Sequence, residues 1–284
     1  MSVATKTRFE VTAEDAGLRL DQIIPRHVGG LSRRKARAVI DLGGVFVDRA
    51  RVKVAGRQLR AGQIVEVVVG GVLERGDAGP VLEPAIVHVD DHVIVVDKPA
   101  GLVTAPTPES DRGDLLDVLG RRFGEVYLVH RIDLPTSGLL VFARTRAANK
   151  ALGEAFRVHD VDREYRAIAI GEVAAQTIDR PIAGKRAVTH VAPLEALRDA
   201  TLVAVRLETG RTHQIRIHLA GIGHPVAGDR QHGGERERLF QPRPPRLALH
   251  AHLLGFTHPA APHPRLQFTS PLPPDLSAFR DGVH

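Results

Sequence analysis

Cysteine and tryptophan are both absent from this 284-residue chain, which has only two tyrosines and one methionine. Without cysteine there is no disulfide and no thiolate-ligated metal. Aromatic residues make up 4% of the chain, too little ring area for a surface that stacks successive bases. No apolar run approaches the roughly 20 residues a helix needs to cross a bilayer, so no membrane span is expected. Residues 1–10 have no apolar centre of the kind a secretory leader carries. Together with the missing cysteine, this gives the expectation of a cytoplasmic protein. What is present in excess is positive charge, 39 Lys and Arg against 33 Asp and Glu, or +6. That excess favours a polyanionic partner. A hydrophobic content of 43% is enough for a sizeable core, and the length points to a large domain plus a small one.

The small unit is expected over residues 17–70. Ser32 is placed to cap a helix over 33–40, Gly43-Gly44 to end it, and short strands follow at 45–47 and 64–69. Arg33, Arg34, Lys35 and Arg37 put four positive charges on more than one side of that helix. By default such a run is a solvated face. Residues 71–81, mixed in charge and rich in Gly and Pro, read as a linker. The larger unit, 82–284, opens with alternating apolar residues at 86–89 and 93–96 around Asp90-Asp91, a hairpin pattern. The pattern predicts a helix over 146–158, strands over 165–170, 202–207 and 247–256, and a helix capped by Thr212 running to 219. Residues 228–245 read as a long polar surface loop and 269–284 as a proline-rich tail on the outside. Strands interspersed with a few helices indicate an α+β fold on an antiparallel or mixed sheet.

The most informative segment is His130-Arg131-Ile132-Asp133-Leu134-Pro135-Thr136-Ser137-Gly138-Leu139-Leu140-Val141-Phe142. It sets one carboxylate in a short polar turn, reshaped by Pro135 and Gly138, just before an apolar strand that a core would hold. A reactive side chain can be presented accurately from such a turn, although an aspartate in a turn is more often only its cap. The whole run resembles the signature of the RluA-type RNA pseudouridine synthases, His-Arg-Leu-Asp followed two residues later by Thr-Ser-Gly-Leu-Leu, with Ile132 in place of leucine. The small-subunit type opens with Gly-Arg-Leu-Asp and lacks Thr-Ser-Gly, so His130 and Ser137 favour the RluA type.

Further segments carry the same resemblance. They are Asp97-Lys98-Pro99-Ala100-Gly101, Arg163-Glu164-Tyr165-Arg166-Ala167 (Arg163 where lysine is usual), Glu208-Thr209-Gly210-Arg211-Thr212-His213-Gln214-Ile215-Arg216, and Leu247-Ala248-Leu249-His250-Ala251. Within 17–70, Leu18-Arg19-Leu20-Asp21, Leu31-Ser32-Arg33 and Asp41-Leu42-Gly43-Gly44-Val45-Phe46-Val47 are similar to the alpha-L RNA-binding fold shared with the fourth protein of the small ribosomal subunit. Gln63 and His232 depart from these patterns, since aspartate and tyrosine are usual there. A changed contact at the rim is the expected consequence of His232.

The resemblance implies a pseudouridine synthase catalytic domain behind a small RNA-binding domain, isomerising uridine in structured RNA with neither cofactor nor metal. Asp133 takes the role of the catalytic carboxylate. A carboxylate in a partly dry pocket tends to gain a proton, and a guanidinium beside it opposes that. Arg216 is the implied partner; its alternative is a surface charge on an amphipathic helix. Tyr165 is expected to hold the extruded base, a role safer than proton transfer for a phenol, and its alternative is a core tyrosine. Arg131 would fill the gap the base leaves. Lys98 and Arg211 would bind phosphates, as would Arg33, Arg34, Lys35 and Arg37 in the small unit.

The fifteen histidines invite a metal reading. His250 and His252 share a strand face, but no spacing supplies a third ligand, so no metal site is expected. The glycine pairs at 29, 43 and 70 read as turns and not as phosphate loops. The competing function is a non-catalytic RNA-binding or ribosome-assembly factor, against which the intact Arg131, Asp133, Tyr165 and Arg216 weigh. The alpha-L resemblance inclines the substrate toward large-subunit ribosomal RNA over transfer RNA, with a monomer as the simplest state.

Overall fold

A computed structural model describes residues 5–41, 43–52, 54–69, 83–105 and 114–283. The described residues up to 69 form one compact unit and those from 83 onward another. The expected linker, 71–81, lies outside the described residues.

The small unit starts before residue 17. Strand β1 (Thr5–Glu10) pairs antiparallel with β4 (Ile64–Val69), and β4 with β2 (Val45–Val47), which turns into β3 (Ala50–Arg51). Helices α1 (Leu20–His27) and α2 (Arg33–Asp41) supply Leu20, Ile23, Ile24, Ala36, Val39 and Ile40 to a core closed by Val45, Val47, Val65 and Val67. Ser32 begins α2 as its type predicts, its hydroxyl accepting the Lys35 N–H at 3.2 Å.

The second unit is a mixed sheet with helices on it, the α+β architecture expected. In chain order it runs β5 (Ala85–Val89), β6 (Val93–Lys98), α3 (Leu115–Phe123), β7 (Tyr127–Leu128), β8 (Ser137–Ala143), α4 (Arg146–Arg157) and β9 (Val161–Ile170). Then follow β10 (Gln176–Asp179), β11 (Val188–Leu197), β12 (Ala200–Leu207), α5 (Gln214–Gly221), α6 (Gly234–Leu239), β13 (Leu249–Thr257), β14 (Arg265–Thr269) and α7 (Pro274–Gly282). The main path is β10-β11-β12-β9-β13-β8-β6-β5, with β14 on β13 and β7 on β8. The β13–β8 pairing is parallel. The other pairings among the described residues are antiparallel.

Strand β8 explains why the apolar run 139–142 shows no alternation. Leu139, Val141 and Ala143 pack with Ala148 and Leu152 of α4 on one face. Leu140 and Phe142 pack with Leu115 and Leu119 of α3 on the other. A strand covered on both sides needs apolar residues at every position, and each large side chain so buried contributes roughly 1.5–3 kcal/mol.

Two expectations change. The supposed surface loop 228–245 contains α6 and a fully buried Asp229. The proline-rich tail contains α7, whose Leu276 and Phe279 are buried with Val283 in the core beneath β9 and β12. Proline at the start of α7 costs no hydrogen bond, because the first turn of a helix has none to lose, so the tail's composition hid a helix.

Candidate active site

Three neighbouring strands set the site. Tyr165 of β9 lies opposite Ala251 of β13, and Ala251 is in register with Gly138 of β8. Gly138 has φ +115°, and a Cβ there would fall 2.3 Å from the Ala251 carbonyl oxygen. Only glycine lets β8 approach β13 so closely.

The turn ahead of β8 is held from several sides. Ile132 is buried with the α3-side core. Its carbonyl accepts from the buried Thr104 hydroxyl at 3.1 Å. The Leu134 carbonyl accepts from the Gly101 N–H at 2.9 Å and from Lys98 Nζ at 3.3 Å. The Thr136 N–H closes the turn on the Asp133 carbonyl at 3.0 Å. Asp133 is therefore carried on fixed backbone, with its side chain 20% exposed.

Helix α5 supplies the guanidinium. The helix begins at Gln214, two residues after the expected Thr212 cap, and His213 precedes it in the left-handed region at φ 55°. The reason is Gln214, whose buried amide accepts from the Arg211 N–H at 3.0 Å and the Thr209 hydroxyl at 2.8 Å. Its Nε2 donates to the Val188 carbonyl of β11 at 2.9 Å. One side chain thus fixes the turn ahead of the helix and docks the helix on the sheet.

Arg216, 7% exposed, donates from Nη1 to Asp133 Oδ2 at 3.3 Å. Its stronger grip is on Asp229, a two-point pair of 2.8 Å from Nε and 2.7 Å from Nη2. Gln231 Oε1 accepts from Nη2 at 3.2 Å. Burial pushes the Asp229 carboxyl up, but Arg216 and the Gln231 and His232 N–H groups outweigh it and hold it below the usual range. Burial likewise opposes the charge on Arg216, and the two carboxylates overcome it. Sequence reasoning paired Arg216 with Asp133 and missed Asp229; the available signal was an aspartate directly after the turn glycine Gly228.

Asp133 and Arg216 line a cavity of about 650 Å³ together with Arg131, Arg163, Tyr165, Arg211 and His213. That is within the roughly 300–1,000 Å³ of small-ligand pockets, ample for one nucleotide. Tyr165 packs against two of the cores as well as lining the cavity. Burial raises its phenol further, against Arg163 and with the Asp133 charge, which disfavours ionisation. Arg131 is exposed at the rim. Arg211 is half-buried, its Nε donating to the Arg186 carbonyl at 3.0 Å. His130 is neutral, pushed down to about 3 by burial and by Arg163, and its Nε2 accepts the Val141 N–H at 3.1 Å.

Lys98 corrects an expectation. It is fully buried, and Nζ donates to the carbonyls of Pro99, Leu102 and Leu134 at 3.0, 2.8 and 3.3 Å. Burial and Arg246 push it down to about 7, against Asp133 and Asp97. It ties two turns together and presents no ammonium to a phosphate. In the small unit Arg37 is a second correction. Its Nε donates at 2.7 Å to Asp21, a fully buried carboxylate also reached by Arg19 at 3.2 Å and Arg33 at 3.4 Å. Arg37 is thereby an internal ion pair, whereas Lys35 and most of Arg33 are exposed.

The match to known proteins follows this geometry. Residues 92–221 fit the family model described as RNA pseudouridylate synthase, and residues 18–65 the S4 domain. The chain is 37% identical to ribosomal large subunit pseudouridine synthase D of Pseudomonas aeruginosa, over 97% of its own length and 95% of the relative's. This chain belongs to the RNA pseudouridylate synthase family. The synthase of the same name from Nitrosomonas europaea is 34% identical over 99% of this chain and 90% of its own. The solved structure of human RNA pseudouridylate synthase domain containing 1 superposes with a TM-score of 0.59 at 27% identity. It covers 70% of this pseudouridine synthase and 89% of the human chain. The chain is thus an RNA-modifying isomerase with an S4 domain at its N-terminal side. No helix among the described residues is long and apolar enough to cross a membrane.

Proposed function

We propose that this synthase converts uridine to pseudouridine in large-subunit ribosomal RNA, with Asp133 as the catalytic carboxylate. The observation that carries the assignment is Asp133 at the cavity, partly exposed, beside a guanidinium that is itself fixed by Asp229. The reaction breaks the bond from ribose C1′ to uracil N1, turns the base, forms the bond to C5 and releases the C5 hydrogen. Each route through it, whether by attack on the sugar, attack on the base or proton removal, needs an ionised carboxylate next to the nucleoside. Arg216 supports that charge with a donor that stays protonated at any working pH.

Tyr165 holds the uracil against the sheet. Arg131, exposed at the rim, enters the stack where the base leaves and offsets part of the few kcal/mol that extrusion costs. Arg211 serves the backbone phosphates. The unit ending near residue 70 grips RNA through α2, residues 71–81 connect, and 82–284 catalyse. The names of the relatives favour ribosomal over transfer RNA. A cytoplasmic monomer completes the reading.

The test is Asp133→Asn on transcripts labelled with tritium at uracil C5. Tritium release is expected to vanish while RNA affinity stays within about threefold of the parent, a change below 1 kcal/mol. Full turnover by the variant would remove the assignment. Comparing pseudouridine maps of ribosomal and transfer RNA with and without the gene decides the substrate.

A further inference from the structure

Behind Asp133 stands a pair of imidazoles that this reaction scheme does not use. His213 Nδ1 and His232 Nε2 are 2.9 Å apart, with the rings edge to face at 5.1 Å. His213 Nε2 lies 3.9 Å from Asp133 Oδ2. Both rings are placed by backbone. His213 is the left-handed residue before α5, and the His232 N–H donates to Asp229 Oδ1 at 3.1 Å, the carboxylate that also holds Arg216.

Across 2.9 Å the two ring nitrogens share one proton, so one donates and the other accepts. If His213 donated from Nδ1, the lone pair of its Nε2 would face the Asp133 carboxylate and be repelled. If His232 donates instead, His213 accepts at Nδ1 and carries its proton on Nε2, toward Asp133 Oδ2. Only that order sets donor against acceptor at both ends. Double protonation of His213 is disfavoured. Burial lowers its pKa; Asp133 and Asp229 oppose the shift, and Arg216 and His232 add to it.

Arg216 Nη1 hydrogen-bonds Oδ2 at 3.3 Å, and His213 Nε2 faces the same oxygen at 3.9 Å, an electrostatic contact beyond hydrogen-bonding distance. No donor among the described residues is within hydrogen-bonding distance of Oδ1. We propose that His232 is a positioning residue: it fixes His213 as the Nε2–H tautomer, and His213 with Arg216 holds Asp133 by Oδ2 so that Oδ1 is the oxygen presented to the nucleoside. The proposal rests on Asp133 being the catalytic carboxylate. It gives the departure from tyrosine at 232 a role in aligning the carboxylate.

Two measurements test it. Long-range proton–nitrogen correlation spectra of the whole protein, with labelled histidine, read the tautomer of His213 directly. The expected result is a protonated Nε2 and an unprotonated Nδ1. In the second, His232→Phe removes the donor, while His232→Tyr and His232→Gln keep one. Single-turnover rate at saturating RNA should fall about tenfold in His232→Phe with KM little changed, the loss of one oriented N–H dipole beside Asp133. It should return to within about threefold of the parent in the Tyr or Gln variant. A His213 protonated on Nδ1 in the parent protein would overturn the proposal, even with Asp133→Asn inactive. So would a His232→Phe enzyme of parental rate and tautomer. Turnover by Asp133→Asn would instead overturn the catalytic reading beneath it, an outcome the histidine spectrum does not depend on.

Discussion

Asp229 is the residue on which the carboxylate–guanidinium geometry turns. Its side chain has no exposure, and it is the two-point partner of Arg216. Asp229→Asn removes the charge and one of the two acceptors, leaving a buried guanidinium with one amide oxygen at 229, the 3.3 Å contact to Asp133 and the Gln231 amide oxygen. Removing one member of a buried pair costs about 3–5 kcal/mol, so the variant should unfold at clearly lower urea than the parent. Arg216 would then turn toward Asp133, and turnover should fall at least about tenfold. An unchanged urea midpoint would show that the pair carries no stability. Arg37 makes the matching case in the small unit. Arg37→Gln should cost about 2 kcal/mol, the worth of a hydrogen bond to a charged group, because Asp21 stays buried with weaker partners.

At the scale of elements, the contact of β8 with β13 sets the position of the turn that carries Asp133. Gly138→Ala has no escape, since the new Cβ meets backbone atoms of Ala251 at 2.3, 2.6 and 2.8 Å and the φ is +115°. The expected loss is about 3 kcal/mol or more, read as a fall in melting temperature, with tritium release reduced alongside it. A parental melting temperature would mean that the two strands part without cost. Strand β8 and helices α2 and α4 were legible in the sequence because cap residues and apolar runs are local signals. The start of α5 was not. The start expected from a Thr212 cap is instead set by a glutamine that holds the preceding turn and bonds to β11, a strand 17 residues or more earlier. Strand β11 itself carries Pro193 and Glu195 at a bulge, so its pattern breaks where a reader looks for alternation.

For the whole molecule, two neutral histidines, His130 half-buried and His250 buried, give a pH dependence. His130 takes a proton only near pH 3, through burial and Arg163, and His250 only near pH 4, through burial against the pull of Asp97 and the Ser270 carbonyl. Free histidine does so near 6.5, so within this window the unfolded chain binds more protons than the folded one. Stability must then fall as pH drops from about 6.5 toward 4, each histidine giving up to about 1.4 kcal/mol per pH unit. Urea midpoints near pH 7 and pH 5 measure this, and His250→Gln should flatten the slope. Equal midpoints would contradict the desolvation of the two rings. RNA affinity tests the small unit within the intact protein. Arg34→Gln and Lys35→Gln should each lower the slope of log affinity on log salt by about 1. An unchanged slope would mean that α2 stays off the RNA.

The sequence alone determined the family, the α+β class, the turn that carries Asp133 ahead of β8 and the absence of any thiolate chemistry, because motifs, cap residues and composition are properties of neighbours along the chain. Only the tertiary structure decided that Lys98 and Arg37 face inward, that Asp229 is the principal partner of Arg216, and that His213 and His232 meet beside Asp133. A charged residue reads the same whether it points to solvent or to a buried partner. That choice is made by strands and helices far apart in sequence, where desolvation is repaid only if the opposite charge arrives at the same place.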